Sequence, residues 1–500
     1  MEDLKEEILV SNRNLEDRSE KILNPFDGSL VGMMPLSDSS EIEAVIQKST
    51  QGFEIIRRMP RFVRADILEK TATLLENRRE EIIKLIASEA GKPLYDARGE
   101  FSRSLLNLRN ASREARNFSG HEVPLDIDGG VFEYQTTNAD GSSFDLGSAD
   151  LDTIANLGRR IGIARNYPLG IILAITPFNF PLNLVLHKVA PAIAMGNSVI
   201  LKPAPQTPLT SRLLQEVMLQ AGLPESCLQV FHCNVDVAEK LVRDERIAMV
   251  SFTGSAAVGW HIKSIAGKKK VALELGGNGA VVVAEDADLT YAAARCVRGG
   301  IVYGGQYCIG VQRILAHTRI YDEFTEELIK RVSSCKVGNP LEEGTDVGPV
   351  IDIRAAERIE SWINDAVEAG ARILVGGKRD GSVIEPTLLT DTTPEMKVEA
   401  EEIFGPVMTI RRINSVEEGV RIASNSRYGL QGGFFTNNLK AAFRALEEWD
   451  VGGLMINDVP IYRIDNMPFG GWKDSGFGRE GTRYAMESMS EIKFLVINYA

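Results

Sequence analysis

Three side chains in this sequence have the types and settings that acyl chemistry needs. Cys308 stands in Gly304-Gly305-Gln306-Tyr307-Cys308-Ile309-Gly310, just after a small apolar run from Ala292 to Val302. A thiol attacks as its thiolate, so a catalytic cysteine is expected at an exposed, electropositive or dipole-favoured turn, and flanking glycines let a substrate approach the backbone. Glu274 lies at the end of an apolar run in Leu273-Glu274-Leu275-Gly276-Gly277. Burial there would raise its pKa toward that of a general base working near neutrality. Asn179, in Pro177-Phe178-Asn179-Phe180-Pro181, could donate its amide to a developing oxyanion. Each has a plainer alternative. A cysteine is most often a small buried hydrophobe, a strand-end glutamate can cap a helix, and an asparagine between prolines can simply form a turn.

The elements that would hold these groups alternate. Apolar runs at Ile171 to Ile175, Ser198 to Leu201, Leu228 to Phe231, Met249 to Phe252, Val271 to Leu275 and Ala280 to Val283 read as strands. Helical stretches near Asn183 to Met195, Leu209 to Ala221, Val237 to Val242 and Ala256 to Ala266 separate them. Near-continuous apolar strands at this spacing predict a parallel sheet covered on both faces, with ligands at the carboxyl ends of its strands. Upstream, Val63 to Ala90 carries apolar residues at helical spacing, stopped by Gly91-Lys92-Pro93. After about Gly300 a second alternation begins, with helices at Tyr321 to Val332 and Ala355 to Ala369 and strands at Val407 to Ile410 and Gly453 to Ile456. The terminal run Glu491 to Asn498 reads as a strand without a sequence-adjacent partner, of the kind that pairs across a subunit boundary.

A phosphate site fits Ser251-Phe252-Thr253-Gly254-Ser255-Ala256-Ala257-Val258-Gly259, which lies between a strand and a helix whose free N–H groups would face a pyrophosphate. Trp260 stands where a P-loop needs lysine, which argues against an ATPase. Gly476-Phe477-Gly478-Arg479-Glu480-Gly481 matches the dinucleotide fingerprint only formally, since the chain ends before a βαβ unit could follow. Lys202, closing Val199-Ile200-Leu201-Lys202-Pro203, could meet a ribose or a phosphate, or only solvent.

At 500 residues the chain predicts two or three domains, and 44% hydrophobic with 25% charged residues is ordinary globular composition. A net charge of -13 argues against nucleic acid or an anionic membrane as partner. The acidic start and the lack of any apolar run of membrane-spanning length make a cytoplasmic location the expectation. The five cysteines show no C-x-x-C spacing, so neither a disulfide framework nor a metal site is expected. Between Arg116 and Arg159 there is no lysine or arginine, while acidic residues accumulate with Gly and Ser. This reads as an acidic loop or a long-tipped hairpin.

Taken in order, Thr176-Pro177-Phe178-Asn179-Phe180-Pro181, Leu201-Lys202-Pro203-Ala204, Phe252-Thr253-Gly254-Ser255, Leu273-Glu274-Leu275-Gly276-Gly277, Gly305-Gln306-Tyr307-Cys308, Glu402-Ile403-Phe404-Gly405-Pro406 and Pro468-Phe469-Gly470-Gly471 resemble the aldehyde dehydrogenase superfamily. The resemblance implies an α/β fold in three parts. These are a Rossmann-type cofactor-binding domain over 1–123 and 169–276, an α/β catalytic domain over 277–485, and a small β oligomerisation element over 124–168 and 486–500. It implies a homodimer or homotetramer that uses NAD or NADP to oxidise an aldehyde through a cysteine thiohemiacetal and thioester. Cys308 would be the nucleophile, Asn179 and the Cys308 N–H the oxyanion donors, and Glu274 the base for hydrolysis. Lys202, Thr253, Gly254, Ser255 and Gly259 would hold the adenosine ribose and pyrophosphate, with Glu402 on the nicotinamide ribose and Phe404 by the ring.

Two departures stand out. The position three residues after Lys202, a ribose-binding glutamate in many family members, is Pro205, so NAD and NADP remain open. The stretch 129–156 is longer than the usual connection and is expected as a surface extension of the oligomerisation hairpin. Tyr462-Arg463-Ile464-Asp465-Asn466-Met467-Pro468 resembles the branch with lactaldehyde and non-phosphorylating glyceraldehyde-3-phosphate dehydrogenases. Arg463 would then anchor a small polar or acidic aldehyde, or pair structurally with Asp465. The rival readings are a thiol acyltransferase or hydrolase without nicotinamide, and a catalytically silent protein on the same fold.

Overall fold

A computed structural model describes residues 18–125 and 159–499. The acidic stretch 129–156 lies outside them. A six-stranded sheet is ordered Gly476–Phe477, Lys270–Glu274, Ile247–Thr253, Ile171–Ile175, Ser198–Lys202, Leu228–Val230. All neighbours are parallel except the first pair. Every residue of Ile171–Ile175 and Ser198–Lys202 is buried, because helices cover both faces. Each fully enclosed Ile, Leu or Val, such as Leu173, Val199 and Ile200, stabilises the sheet by about 1.5–3 kcal/mol relative to exposure. Register sets the site: Ile175 pairs with Lys202 and Phe252, and Thr253 pairs with Glu274, so these strand ends lie level along one edge.

A seven-stranded sheet follows, ordered Arg372–Val375, Thr387–Thr390, Val407–Ile413, Val311–His317, Gly279–Val283, Gln431–Phe435, Gly453–Ile456. It is parallel apart from the antiparallel Arg372–Val375. Its fifth member corrects one sequence expectation. The run at 280–283 does not extend the first sheet; after Gly276-Gly277 the chain crosses over and pairs with Val311–His317 and Gln431–Phe435.

The last strand finds a partner far from it in sequence. Ser490–Asn498 pairs antiparallel with Arg160–Pro168 of its own chain, Phe494 opposite Ala164, and His121–Val123 forms the third strand. Sequence distance hid that partner. The outer side of Ser490–Asn498 pairs with no strand among the described residues, and Ile492, Phe494, Leu495 and Val496 are exposed.

Helices Arg61–Asn77 and Arg79–Ala90 come before the first sheet, and Gly91 ends the second of them in the left-handed region at φ 64°. Next to it, Lys92 is fully buried and ion-paired with Glu100 of helix Leu94–Asn117. The Lys92 Nζ lies 3.7 Å from the Phe180 ring centroid and 4.5 Å from that of Tyr303. Glu100 Oε1 accepts from the N–H groups of Leu182 and Asn183 at 2.9 and 3.1 Å, at the N-terminus of helix Asn183–Met195. This carboxylate thus fixes the turn that carries Asn179. Among the described residues no helix is long and apolar enough to cross a membrane.

Candidate active site

Cys308 lies in the connection between helix Leu289–Ile301 and strand Val311–His317. The chain leaves the helix through Tyr303, Gly304 and Gly305, all left-handed at φ 50°, 59° and 70°. For tyrosine this conformation is strained. It is held by the Tyr303 hydroxyl donating to the Ala90 carbonyl at 2.5 Å and by its N–H donating to Asp96 Oδ2 at 2.8 Å. A Cβ on Gly305 would lie 2.0 Å from the Gly405 carbonyl, so the nucleophile loop touches the loop of Glu402 and Phe404 backbone to backbone.

The Cys308 thiol is partly enclosed and differs from the sequence expectation of a thiolate-favouring turn. Burial and then the Glu402 carboxylate push its pKa up to about 12, against the opposing pull of Arg463. It is a thiol at rest. Asn179 is buried, and its Nδ2 donates to the Gln306 carbonyl at 3.0 Å, which leaves its second N–H for another acceptor. Its Oδ1 has no partner among the described residues.

A cavity of about 270 Å³ opens on Cys308 and is lined by Asn179, Thr253, Gly254, Ser255, Glu402 and Phe404 among others. Sequence reasoning named all of these, and the fold gathers them. Ser255 is the N-cap of helix Ala256–Ile265 but makes no capping bond, so the first turn keeps donors for an anion. Glu402 Oε1 accepts from the Gly277 N–H at 2.9 Å, and burial raises the carboxyl to about 7. A Cβ on Gly276 would fall 2.3 Å from Glu402 Oε2, so a side chain there would push this carboxylate aside. Phe404, left-handed at φ 52°, meets Phe178 edge to face at 5.8 Å. The unpartnered Thr253 Oγ1 and the open helix N-terminus beside an apolar wall fit a nicotinamide dinucleotide. Arg358, which the sequence reading missed, also lines this cavity.

Glu274, Lys202, Gly259 and Arg463 do not line it. Gly259 serves packing, since a Cβ there would lie 2.3 Å from Leu275 Cδ2. Lys202 is buried at its strand end. Glu274 is 4% exposed, and both carboxylate oxygens lack a partner among the described residues. Burial, with the Glu480 carboxylate adding to it, holds its pKa well above the usual carboxylate range.

Arg463 turns inward over the Phe469 ring at 3.5 Å, with its Nη2 2.9 Å from His187 Nδ1. A buried polar network surrounds it. Lys188 Nζ donates to Glu480 Oε1 at 2.7 Å, and Arg103 Nη2 donates to Asp465 Oδ1 at 2.6 Å. His187 bridges Glu480 and Asp465 at 3.0 Å each. Burial would raise both carboxyls, but Lys188 and His187 hold Glu480 below its ordinary value, and His187, Arg103 and Arg463 do the same for Asp465. The available signal was His187-Lys188 inside the otherwise apolar helix Asn183–Met195, every residue of which is buried.

Residues 12–495 match the model of the aldehyde dehydrogenase family. The chain belongs to that family. It is 39% identical over 493 residues to a 3-sulfolactaldehyde dehydrogenase of Priestia aryabhattai, covering 98% of each chain. Among solved structures it superposes with a TM-score of 0.89 on aldehyde dehydrogenase 21 of Physcomitrella patens in complex with the reaction product succinate, at 38% identity over 97% of this chain and 96% of that one. Glyceraldehyde-3-phosphate dehydrogenase GapN of Methanocaldococcus jannaschii, complexed with NADP, gives 0.87 at 35% identity over 96% and 100%. Family membership makes the chain an NAD(P)-dependent aldehyde dehydrogenase, and the fold class and family resemblance read from its motifs are correct.

Proposed function

We propose that the chain oxidises a small acidic aldehyde to the carboxylic acid, and the observation that carries this is an unbalanced charge beside the nucleophile. Arg103 is matched by Asp465 and Lys188 by Glu480, while Arg463 reaches the same two carboxylates only at 3.8 and 3.7 Å. With burial and Glu480 raising the Glu274 carboxyl well above the usual carboxylate range, one guanidinium charge is left without a full counterion, which favours a substrate that brings its own anion. The sulfonated substrate of one relative and the succinate bound in another support this direction.

The Cys308 thiol gives up its proton to solvent, its Sγ forms the bond to the aldehyde carbon as the C=O π bond opens, and the resulting oxyanion takes the free Asn179 N–H and the Cys308 backbone N–H. Thr253, Gly254, Ser255, Glu402 and Phe404 would hold NAD or NADP, which would supply the two-electron acceptor. Glu274, once it has released its own proton to solvent, takes a proton from the water that cleaves the thioester. A thioester without a nicotinamide, as in the hydrolase reading, would leave this cavity unused.

The three sheets support the division into cofactor-binding (1–123, 169–276), catalytic (277–485) and oligomerisation (124–168, 486–500) parts. The exposed apolar strand Ser490–Asn498 supports assembly as a homodimer or homotetramer, which light scattering of the purified protein would measure. The substrate test is reduction of NAD and NADP at 340 nm with sulfonated, carboxylated and uncharged aldehydes of equal length. The anionic members should exceed the uncharged one in kcat/KM by about 100-fold, and Arg463→Gln should erase most of that margin. Equal or better turnover of the uncharged aldehyde would refute the proposal.

A further inference from the structure

Glu402 sits in a stretch with no helix or strand of its own, between the short helix Lys397–Ala400 and strand Val407–Ile413. The Gly277 N–H meets its carboxylate, but its backbone is held by a side chain from elsewhere. Gln312 lies shortly after Cys308, on strand Val311–His317, and is buried. Its Nε2 donates to the Glu401 carbonyl at 2.6 Å and to the Val398 carbonyl at 3.1 Å, and its Oε1 accepts from the Ile403 N–H at 3.0 Å.

The placement of these bonds matters more than their number. The Glu401 carbonyl belongs to the peptide group before the Glu402 Cα, and the Ile403 N–H to the peptide group after it. A carboxamide presents a donor and an acceptor side by side, so Gln312 meets both groups at once. With the two rigid peptide planes held, the backbone angles of Glu402 are set and its side chain leaves the chain in one direction. Neighbours stiffen the frame without bonding to those two groups. Arg313 Nε donates to Asn278 Oδ1 at 2.9 Å, Asn278 Nδ2 donates to the Glu399 carbonyl at 2.6 Å, and Arg358 Nη2 donates to the Ile403 carbonyl at 2.6 Å. Gln312 itself lies outside the cavity that Glu402 lines.

We propose that Gln312 is a positioning residue for the dinucleotide: through the two peptide groups that flank Glu402, it fixes this carboxylate against the nicotinamide-side ribose. Because Gln312 follows the nucleophile on the same strand connection, the ribose is thereby located relative to Cys308. This rests on the reading given above that Glu402 meets that ribose.

Isothermal titration of the full-length protein with ADP-ribose and with ADP, and with the 2'-phosphorylated form of each, isolates the terminal ribose without turnover. The affinity ratio within the pair that binds more tightly should fall about tenfold in Gln312→Met, which is similar in size and offers no hydrogen bond, while ADP affinity stays the same. Gln312→Asn, one methylene too short to reach the loop, should lower the ratio likewise and decides the matter where Gln312→Met does not fold. Gln312→Glu, kept protonated by burial, retains a donor and an acceptor in the same places and should preserve the ratio. A ratio that Gln312→Met or Gln312→Asn leaves unchanged, whatever the melting temperature does, would overturn the proposal, as would a Gln312→Glu that lowers it as far. Glu402→Ala is the control and should lower the ratio at least as much as Gln312→Met. A ratio unchanged in Glu402→Ala would instead overturn the assignment of Glu402 to the ribose.

Discussion

The Cys308 thiol offers a quantitative test of the electrostatics around it. A pKa pushed up to about 12 leaves roughly one thiol in ten thousand ionised at pH 8 in the cofactor-free protein. Alkylation by iodoacetamide, followed at Cys308 by peptide mass spectrometry, should therefore be slow and rise tenfold per pH unit from pH 7 to 10 without a plateau. Removing one charge changes the rate in a known direction. A carboxylate ~6 Å away at an effective dielectric of ~20 is worth ~3 kcal/mol, and access of solvent to the cavity reduces the observable effect to roughly tenfold. Glu402→Gln should thus speed alkylation about tenfold at pH 8.5. At pH 6 it should change little, because Glu402, raised to about 7, is already mostly protonated there. Arg463 acts on the thiol with the opposite sign, so Arg463→Gln should slow alkylation. A plateau below pH 9, or equal acceleration by Glu402→Gln at both pH values, would refute the reasoning.

Glu274→Gln should keep a first-turnover burst of reduced cofactor while steady-state turnover falls ~100- to 1,000-fold, as stopped-flow absorbance would show; loss of the burst as well would remove the base assignment. In the unmodified enzyme the raised Glu274 pKa means that steady-state turnover keeps rising with pH beyond the range in which an ordinary glutamate titrates, and a profile that levels off with an ordinary glutamate's titration would contradict it. Lys92→Met should cost ~3–5 kcal/mol in chemical denaturation by leaving Glu100 buried without its cation. Asp465 is held far below its ordinary 3.8, so its stabilisation is present above about pH 4 and lost as pH falls further. Asp465→Asn should lower stability at pH 7 by ~2–3 kcal/mol and flatten the acid-side loss in melting scans from pH 7 to 3.

The sequence carried the architecture well where periodicity and burial coincide. Helix Asn183–Met195 and strands Ile171–Ile175 and Gly453–Ile456 have the expected ends, because continuous apolar runs bounded by glycine or proline leave few alternatives. What depends on three-dimensional closure was not legible. The crossover of the strand at 279–283 turns on a Gly-Gly break whose direction no local pattern gives, and the grouping of Ser490–Asn498 with a strand more than three hundred residues upstream came only from the family resemblance, not from any local pattern. Cys308, Glu274 and Asn179 are placed at the ends and connections where they were expected. The thiol's raised pKa was missed, because it comes first from burial that only the folded chain creates and then from Glu402, nearly a hundred residues away. The Arg103, His187, Lys188 and Glu480 network was missed for the same reason: each is an ordinary polar residue until helix and loop bring them together.

The contact between Gly305 and Gly405 has a consequence for how such an enzyme can diverge. Because the two loops meet through bare backbone, the reacting sulfur and the wall of the dinucleotide cavity share one joint and cannot be adjusted separately. Retuning toward new aldehydes must leave this joint alone and act through side chains on other elements, such as Arg103, His187 and Arg463. Transplanting residues 302–310 from a relative without the matching 402–406 should yield a protein that folds yet misaligns nucleophile and acceptor. Inheritance here works on loop pairs, and the unit of exchange is larger than the motif that first announces the chemistry.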